Sequence, residues 1–384
     1  RATLGPLSHL SHCSRTALQP LLGPFSDYFV VASHFVIALI FFSNLFYLWR
    51  RKTLSRKGEG ISTNQPLVSI LIPARNEAKN LRRLLPSVLN QRFDNFQLIV
   101  YDDASEDDTC AVISAYADER ICTLRGTGPP DGWTGKVHAL HQASRHAKGE
   151  LMLFLDADTV LQDPGALGRL VAAFQSLPAH SVLTSMPAYK GKGLTLVSLA
   201  THSILASIPW LLVRWLPFSS LGVLNGQCWM IDAPTYQKHQ PHAQVAGEIL
   251  EDVLIGRYLK KQGISPALVD VQSEVAVHMY DSFAEAWRGF RKNVYLLMGN
   301  NLLLFVGIFA LFATIFVLPA FLEPRLLFLV YFNKLLTDHR SGFSFTISLI
   351  APLCYILGST LQLDSAWNHL TGRVTWKGRP VVSA

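Results

Sequence analysis

Short apolar runs alternate with polar stretches of helical spacing through the middle of this chain. The apolar runs predict buried strands at residues 67–72, 96–101, 121–124 and 151–155. The stretches between them predict helices at residues 78–90, 107–116 and 137–147. Alternating strands and helices are typical of an α/β domain, whose sheet is flanked by helices.

Longer apolar stretches on both sides of this domain predict membrane segments. Residues 29–49 are long enough to cross a bilayer, and the basic linker at 50–66 places that end in the cytoplasm. Residues 294–363 predict two or three further transmembrane helices. We therefore expect a multi-pass integral membrane protein whose main domain, residues 67–293, lies on the cytoplasmic face.

Three further segments are described by composition. Residues 194–224 are apolar but interrupted by prolines, which predicts either a segment in the membrane interface or a buried core segment. Residues 1–28 carry one acidic side chain, Asp27, and are expected to be a disordered leader, with a targeting remnant as the alternative. Residues 364–384 form a basic tail.

Composition agrees with a membrane protein that carries one globular domain. The chain has 384 residues, a formal net charge of +7 and a charged fraction of 16%, below the roughly one quarter of soluble domains. No basic stripe is interleaved with aromatic residues, so we expect no nucleic-acid partner. The five cysteines lack metal-site spacing and predict free thiols.

The chemistry begins with Asp156 and Asp158, directly after the predicted strand at 151–155. Two carboxylates one residue apart present oxygen ligands beyond the sheet edge. Mg²⁺ and Mn²⁺ take such ligands and share them with phosphates. Because Asp is also common in turns, this pair alone is a weak signal for a metal that holds a diphosphate.

Polar residues also follow the first two predicted strands. Pro73, Arg75 and Glu77 end the first, and Asp102 and Asp103 end the second. Open α/β sheets bind ligands beyond the carboxyl ends of their strands, so these residues border one crevice. Their carboxylates can accept hydrogen bonds from a nucleobase and a ribose. Asp107, by contrast, is predicted to cap a helix.

Gly132 to Lys136 precede a predicted helix and invite comparison with a P-loop. The pattern G-x-x-x-x-G-K-S/T would need Gly at Pro130 and Ser or Thr at Val137, which argues against a P-loop NTPase. Lys136 near a helix start can still contact a phosphate or a sugar.

Glu251 and Asp252 open another predicted helix. Acidic residues are favoured at a helix N-terminus by the helix dipole. The functional interpretation is a general base that deprotonates an incoming hydroxyl group.

Together these segments resemble the family 2 glycosyltransferases, which are inverting enzymes with a nucleotide-binding GT-A fold. The resemblance covers residues 67–293 and five motifs in order. It implies a Rossmann-like mixed sheet, a nucleotide-sugar site that includes Asp102 or Asp103 and Asp156, a Mg²⁺ or Mn²⁺ ion at Asp158, and Asp252 as the base beside Glu251.

One departure from the family concerns the Q-x-x-R-W element of processive members such as cellulose and hyaluronan synthases. The comparable region, residues 287–293, lacks its glutamine and final tryptophan, which argues against polymer synthesis. Arg291 or Lys292 could balance charge on the leaving diphosphate, or be a basic flank of a membrane helix. This region and the tail resemble bacterial carotenoid and hopanoid-associated glycosyltransferases.

The resemblance implies a donor such as UDP-glucose and a lipid-like acceptor such as a hydroxycarotenoid. A polyprenyl-phosphate sugar synthase is the alternative within glycosyltransferases. A nucleotidyltransferase would release pyrophosphate instead of a nucleoside diphosphate. A non-catalytic membrane scaffold on a degenerate transferase fold is the alternative from another class.

Overall fold

A computed structural model describes residues 28, 31–47, 54, 65–191, 197–211, 216–318, 327–376 and 379–380. Its strands are, in chain order, β1 (Val68–Ala74), β2 (Phe96–Asp103), β3 (Ile121–Gly126), β4 (Leu151–Leu155), β5 (Thr159–Leu161), β6 (Ser181–Met186), β7 (Ala188–Lys190), β8 (Cys228–Asp232), β9 (Ser265–Asp270), β10 (Val275–His278), β11 (Thr375–Trp376) and β12 (Arg379–Pro380). Seven of them form one sheet in the order β3-β2-β1-β4-β8-β6-β9. Strand β8 runs antiparallel to β4 and β6, so the sheet is mixed.

The four strands predicted from the apolar runs are all present and lie side by side. Strand β1 pairs in parallel with β2 and β4, and β2 pairs in parallel with β3. Strands β1 to β3 each extend two residues beyond their apolar runs, since the ladder continues through the pairing of Ala74 with Asp102. The polar residues after these strands therefore meet at one edge, as predicted.

Some of the helices flank this sheet, and others pack together in a second, apolar assembly. The helices are α1 (Val31–Tyr47), α2 (Ala78–Leu89), α3 (Thr109–Ser114), α4 (Gly135–Ser144), α5 (Ala166–Gln175), α6 (His202–Ala206), α7 (Ala233–His239), α8 (Glu251–Lys261), α9 (Phe283–Leu297), α10 (Leu302–Phe312), α11 (Leu327–Arg340), α12 (Phe345–Ser348) and α13 (Ala351–Leu370). In α2 four apolar side chains at helical spacing are buried, with Leu81, Leu84, Leu85 and Val88 at 0% exposure. Helical spacing places them on one face.

Successive side chains of the central strands alternate between two cores. Leu153 and Leu155 belong to the core shared with α2 and α5, whereas Phe154 faces the core shared with α4 and α8. This is the two-residue period of a strand buried on both faces. Phe154 stacks on Trp229 of β8 with ring centroids 4.0 Å apart. The stack fixes β4 and thereby the position of the aspartates that follow it.

Within the described residues, no single helix has both the length and the apolar character to cross a membrane. Helix α1 is apolar but short, and the predicted ends of the segment at 29–49 lie outside the described residues, as do nearly all of the leader and linker. Residues Phe283–Leu297 and Leu302–Val317 pass the same criterion only as a pair, with a bend of 108° between them.

This bend has a clear local cause. Gly299 and Asn300 have positive φ values of 104° and 52°, which end a right-handed helix. The Asn301 side chain then accepts a 3.0 Å hydrogen bond from the Leu304 N–H and caps α10. The apolar run after residue 294 is therefore not one continuous helix, and α9 runs across the predicted boundary at residue 293.

Two other predicted segments are divided differently in the structure. Between residues 194 and 224, a π-helical turn at Val197–Thr201 leads into α6, and Ala200, Ile204 and Ala206 are buried. Ala200 and Ile204 pack in the apolar core of the helices, whereas residues 194–196 and 212–215 lie outside the described residues. The predicted tail at 364–384 begins inside α13, which continues to Leu370.

Candidate functional site

A cavity of about 1580 Å³ opens at the edge where β1, β2 and β4 end. Nine of the residues predicted from the sequence line it: Pro73, Arg75, Glu77, Asp103, Lys136, Asp156, Asp158, Glu251 and Asp252. They come from five separate segments of the chain. The fold thus brings most of the predicted site together.

Lys136 is the centre of charge in this cavity. Its Nζ lies 2.7 Å from Asp156 Oδ1 and 2.8 Å from Glu251 Oε1. Burial works against the charged form, but the carboxylates of Asp156, Glu251 and Asp252 raise the pKa of Lys136 well above its ordinary value. The ammonium therefore stays protonated and fixes two carboxylates that come from β4 and α8.

Asp252 is held as a hydrogen-bond acceptor at the start of α8. Its Oδ2 accepts a 2.9 Å hydrogen bond from the Gly226 N–H, and its Oδ1 accepts one of 2.8 Å from the Val253 N–H. Burial and the neighbouring Glu251 carboxylate raise the pKa of Asp252 to about 6. A carboxylate of this basicity is ionised at neutral pH and accepts a proton more readily than an ordinary aspartate.

The ends of β1 and β2 are locked to each other. Arg75 Nη1 donates a 2.8 Å hydrogen bond to the carbonyl oxygen of Asp103. Asn76 and Ala104 have positive φ values of 54° and 53°, which turn both chains away from the strands. Asn76 N–H also donates a 2.9 Å bond to Ser105 Oγ. These contacts hold the rim of the cavity beside Asp103.

Asp102 and Asp107 have structural roles in this rim. Asp102 does not line the cavity, and its Oδ1 accepts a 3.0 Å hydrogen bond from the Ser105 N–H. Of the two residues predicted to contact a base, only Asp103 reaches the cavity. Asp107 accepts hydrogen bonds from the N–H groups of Thr109 and Ala78 at 3.0 and 3.2 Å, in agreement with its predicted capping role.

Arg291 is the second predicted residue that the structure does not bring to the cavity. Its Nη1 lies 3.8 Å from Asp364 Oδ2 of α13. Neighbouring Lys292 lines the cavity instead, and burial lowers its pKa to about 8. Consecutive helical residues point about 100° apart. The rotation of α9 therefore places the Arg291 side chain against α13 and the Lys292 side chain near the carboxylates of Glu251, Asp252 and Asp156.

The carboxylates of the cavity are candidate ligands for Mg²⁺ or Mn²⁺. Within the described ranges, no three His, Cys, Asp or Glu side chains are grouped so as to hold a metal by themselves. Mg²⁺ is commonly held by one or two carboxylates together with substrate phosphates. Asp158 and Asp156 supply such a hard-oxygen pair at the cavity wall, so the donor chemistry fits a metal shared with a diphosphate.

Two residues at or beside the cavity, Gly226 and Tyr189, were not predicted from the sequence. Gly226 donates to Asp252, and only its position in an Asn-Gly turn could have drawn attention to it. Tyr189 of β7 lines the cavity. Burial raises the pKa of Tyr189 to about 12, and the nearby Asp158 carboxylate acts in the same direction. Its phenol therefore remains a hydrogen-bond donor at neutral pH.

Comparison with known proteins gave matches in both sequence and structure. A 4,4'-diaponeurosporenoate glycosyltransferase of Staphylococcus aureus (strain USA300) is 26% identical over 353 residues, covering 84% of this chain and 90% of the relative. A mannosyltransferase from Pyrobaculum calidifontis in complex with GDP-Man and Mn²⁺ has a TM-score of 0.49 at 17% identity, covering 88% of this chain and 98% of that one. S. aureus TarS 1–349 in complex with UDP-GlcNAc has a TM-score of 0.41 at 13% identity, covering 78% and 92%.

The family comparison agrees with the motifs that meet in the cavity. Residues 69–231 match the model described as Glycosyl transferase family 2, and this range contains β1 to β4 and the Asp156–Asp158 pair. The resemblance stated from the motifs is thereby confirmed. Residues 69–231 are similar to the family 2 glycosyltransferase domain, and the chain is a glycosyltransferase.

Proposed function

We propose that this chain is a membrane-bound inverting glycosyltransferase that transfers a sugar from a nucleotide sugar to a hydroxyl group of a lipid-like acceptor, such as a hydroxycarotenoid. The observation that carries the proposal is Asp252. Its carboxylate lies in the cavity, is oriented by two N–H groups, and has a pKa raised to about 6 by burial and Glu251. These are the properties of a general base for a hydroxyl group.

In this mechanism the acceptor hydroxyl approaches between Asp252 and the anomeric carbon of the donor. Asp252 takes the hydroxyl proton as the new C–O bond forms, and the bond to the nucleoside diphosphate breaks on the opposite side. Inversion follows from this single in-line displacement. Lys136 keeps Glu251 paired at 2.8 Å, so the negative charge beside the base is partly balanced.

The donor half of the cavity is assigned to the edge formed by Arg75, Glu77 and Asp103. Their polar atoms suit the base and ribose of a nucleotide, with UDP-glucose as the donor implied by the family resemblance. Asp158, with Asp156, would hold Mg²⁺ or Mn²⁺. When bound, the metal supplies positive charge that stabilises the diphosphate leaving group. Lys292 also lines the cavity and adds a positive charge to it.

The acceptor half is assigned to the apolar wall. Ile204, Leu205, Ile208 and Trp210 line the cavity together with Tyr47 of α1. Helices α1 and α10 also expose large apolar side chains, including Phe35 at 69%, Phe42 at 61% and Leu303 at 83%. Such apolar surface is costly in water, which supports a membrane location and access for a lipid. The relative from S. aureus is named for a carotenoid acceptor.

A test of this proposal uses detergent-solubilised protein, UDP-glucose, Mn²⁺ and a hydroxycarotenoid in mixed micelles. We expect release of UDP and a carotenoid glucoside whose anomeric configuration is opposite to that of the donor. Parallel assays with GDP-mannose and UDP-GlcNAc test the choice of donor. Release of pyrophosphate would identify a nucleotidyltransferase. Folded protein that binds none of these nucleotides with Mn²⁺ would favour the scaffold alternative.

The alternative acceptor is a polyprenyl phosphate, whose anionic oxygen needs no base. Substitution of Asp252 by Asn separates the two acceptors. With a hydroxyl acceptor, this change removes the group that takes the proton. With a phosphate acceptor, substantial activity would remain, and the proposal of a hydroxyl acceptor would be wrong.

A further inference from the structure

A polar cluster is buried among the apolar helices, on the acceptor side of the cavity. His202 of α6 and Lys334 and Asp338 of α11 are exposed by 2%, 0% and 0%. Asp338 Oδ1 lies 3.2 Å from His202 Nδ1, and Asp338 Oδ2 accepts hydrogen bonds from Lys334 Nζ and Ser348 Oγ. Charged side chains are seldom buried this fully unless they are paired. The pairing has a consequence for the histidine.

The carboxylate of Asp338 fixes the state of the His202 ring. A carboxylate only accepts hydrogen bonds, so His202 Nδ1 must carry the proton that it donates to Asp338. The Lys334 ammonium balances the charge of Asp338, so the ring need not be cationic to neutralise it. In a neutral ring protonated at Nδ1, Nε2 carries a lone pair and accepts hydrogen bonds.

His202 Nε2 is the atom that this arrangement leaves available. It is buried and has no hydrogen-bond partner in the portion of the chain that the structure describes. Buried polar atoms are nearly always satisfied, and an unsatisfied one is costly. His202 is also one of the residues that line the cavity, beside Thr201 and Ile204. A ligand in the cavity is therefore a suitable source of the missing donor.

The position of His202 connects it to the reaction centre through aromatic contacts. Its ring meets Phe343 edge-on, with centroids 4.4 Å apart, and Phe343 stacks with Tyr189 at 6.1 Å. Tyr189 is close to Asp158 and Asp252, whose negative charges contribute to its raised pKa. His202 is thus linked to Tyr189 through Phe343, and it lies in α6 two residues before Ile204 of the apolar wall.

We infer that His202 Nε2 accepts a hydrogen bond from a second hydroxyl group of the lipid acceptor, distinct from the hydroxyl that gives its proton to Asp252, and that His202 thereby determines acceptor specificity. The inference rests on the proposed function. Asp338 is a positioning residue that holds the imidazole with Nε2 as an acceptor. A carboxylate at the same place could not donate a proton at neutral pH, and its charge would face a lone pair. The site therefore favours a hydroxylated acceptor over a carboxylated one.

A pair of substitutions separates the two nitrogens of the ring. His202→Asn retains an N–H group near the position of Nδ1, which can still donate to Asp338, but it removes Nε2. His202→Gln places an amide oxygen near the position of Nε2. His146→Asn is the matched control, because His146 is exposed and lies outside the cavity. Thermal unfolding and nucleotide binding establish that each variant is folded.

The assay compares two carotenoids of equal length that carry the same reacting hydroxyl group and differ at a second polar group, which is a hydroxyl in one and a carboxylate in the other. We expect the natural protein to prefer the acceptor with the second hydroxyl in kcat/KM. His202→Asn should raise KM for that acceptor about ten-fold, the loss of one hydrogen bond, with KM for the donor unchanged. His202→Gln should recover part of the loss, and His146→Asn should behave as the natural protein.

The outcomes are distinguishable from a failure of the proposed function. If the natural protein transfers sugar to neither carotenoid, the proposed function is wrong. If it transfers to the one with the second hydroxyl and His202→Asn has an unchanged acceptor KM, then Nε2 meets no substrate and the inference is overturned. A natural protein that prefers the carboxylate would overturn it equally.

Discussion

Lys136 Nζ lies 2.7 Å from Asp156 Oδ1. The lysine that ends the Gly132–Lys136 segment therefore forms an ion pair with the first carboxylate of the aspartate pair. This ion pair separates the roles of the two aspartates. Asp156 is fixed by a cation of the protein, whereas Asp158 is the carboxylate that we assign mainly to the metal. The same ammonium reaches α8 through Glu251 and so links the donor and base sides of the cavity.

The first prediction concerns the charge of Lys136. Lys136→Met removes a cation that lowers the pKa of Asp252. The pKa of Asp252 should then rise above 6, and the acid limb of the pH profile of kcat/KM should move up by about one unit. Lys136→Arg keeps the charge and is the control. Coincident acid limbs for the natural and Met proteins would show that Lys136 does not act on the base.

The second prediction concerns Asp252 itself. A base with a pKa of about 6 is protonated and inactive at lower pH, so activity should rise with pH through about 6 and then level off. Asp252→Asn should reduce kcat with a hydroxyl acceptor by about 10²- to 10⁴-fold and abolish this acid limb. The measurement is the initial rate of sugar transfer between pH 4.5 and 7.5, with nucleotide binding as the control for folding.

The third prediction concerns Gly226, whose N–H orients the base. A Cβ atom at this position would lie 3.0 Å from Asp252 Cβ and 3.1 Å from its Oδ2. Gly226→Ala should displace the carboxylate and lower kcat by about 10²-fold, the cost of a misplacement near 1 Å. KM for the donor should change little. Gly307→Ala is the control, because a Cβ there meets no atom within 4 Å. Equal kcat in the two variants would contradict the assigned role.

Much of the fold was predictable because its strands are buried on both faces. Residues 151–155 are continuous and apolar, so strand β4 was predicted with its observed limits. The bend after residue 297 was not predicted, since the apolar residues on both sides of Gly299, Asn300 and Asn301 predict one long run. There the backbone of Gly299 and Asn300 and the cap at Asn301 decide the structure. Local turn chemistry outweighed the hydrophobic pattern.

The predictable part of the site is the part that depends on strand ends. Parallel strands deliver Asp103 and Asp156 to one edge whatever the loops do. The contacts between distant segments could not be predicted from the sequence, because they depend on tertiary packing. Lys136 with Glu251 is one such contact, and Gly226 with Asp252 is another. The choice between Arg291 and Lys292 likewise depended on how α9 is rotated.

The fourth prediction concerns the proposed metal. Asp158→Ala should abolish the part of sugar transfer that depends on Mn²⁺ and leave the protein folded, because this change removes one carboxylate from the cavity wall. The measurement is the rate as a function of Mn²⁺ concentration, together with thermal unfolding with and without the nucleotide. Asp131→Ala, an exposed residue at the cavity rim, is the control. An unchanged dependence on Mn²⁺ in the Asp158 variant would remove the metal from this residue.

The last prediction compares Lys292 with Arg291. A protonated Lys292 can balance charge on the departing diphosphate, and its pKa is lowered to about 8 by burial. It is therefore cationic at pH 7 and loses its proton as the pH rises through about 8. The profile of kcat/KM, which reports groups of the free enzyme, should accordingly fall on its basic side near pH 8.

Two substitutions test this assignment. Lys292→Met should lower kcat/KM for the donor at pH 7 and abolish the basic limb, whereas Lys292→Arg should keep activity and move that limb to higher pH, because guanidinium stays charged. Arg291→Gln removes a partly exposed ion pair with Asp364 and should cost at most about 1 kcal/mol of stability, with the profile unchanged. A larger kinetic loss in Arg291→Gln than in Lys292→Met would assign the leaving-group role to Arg291, the other residue that the sequence analysis named.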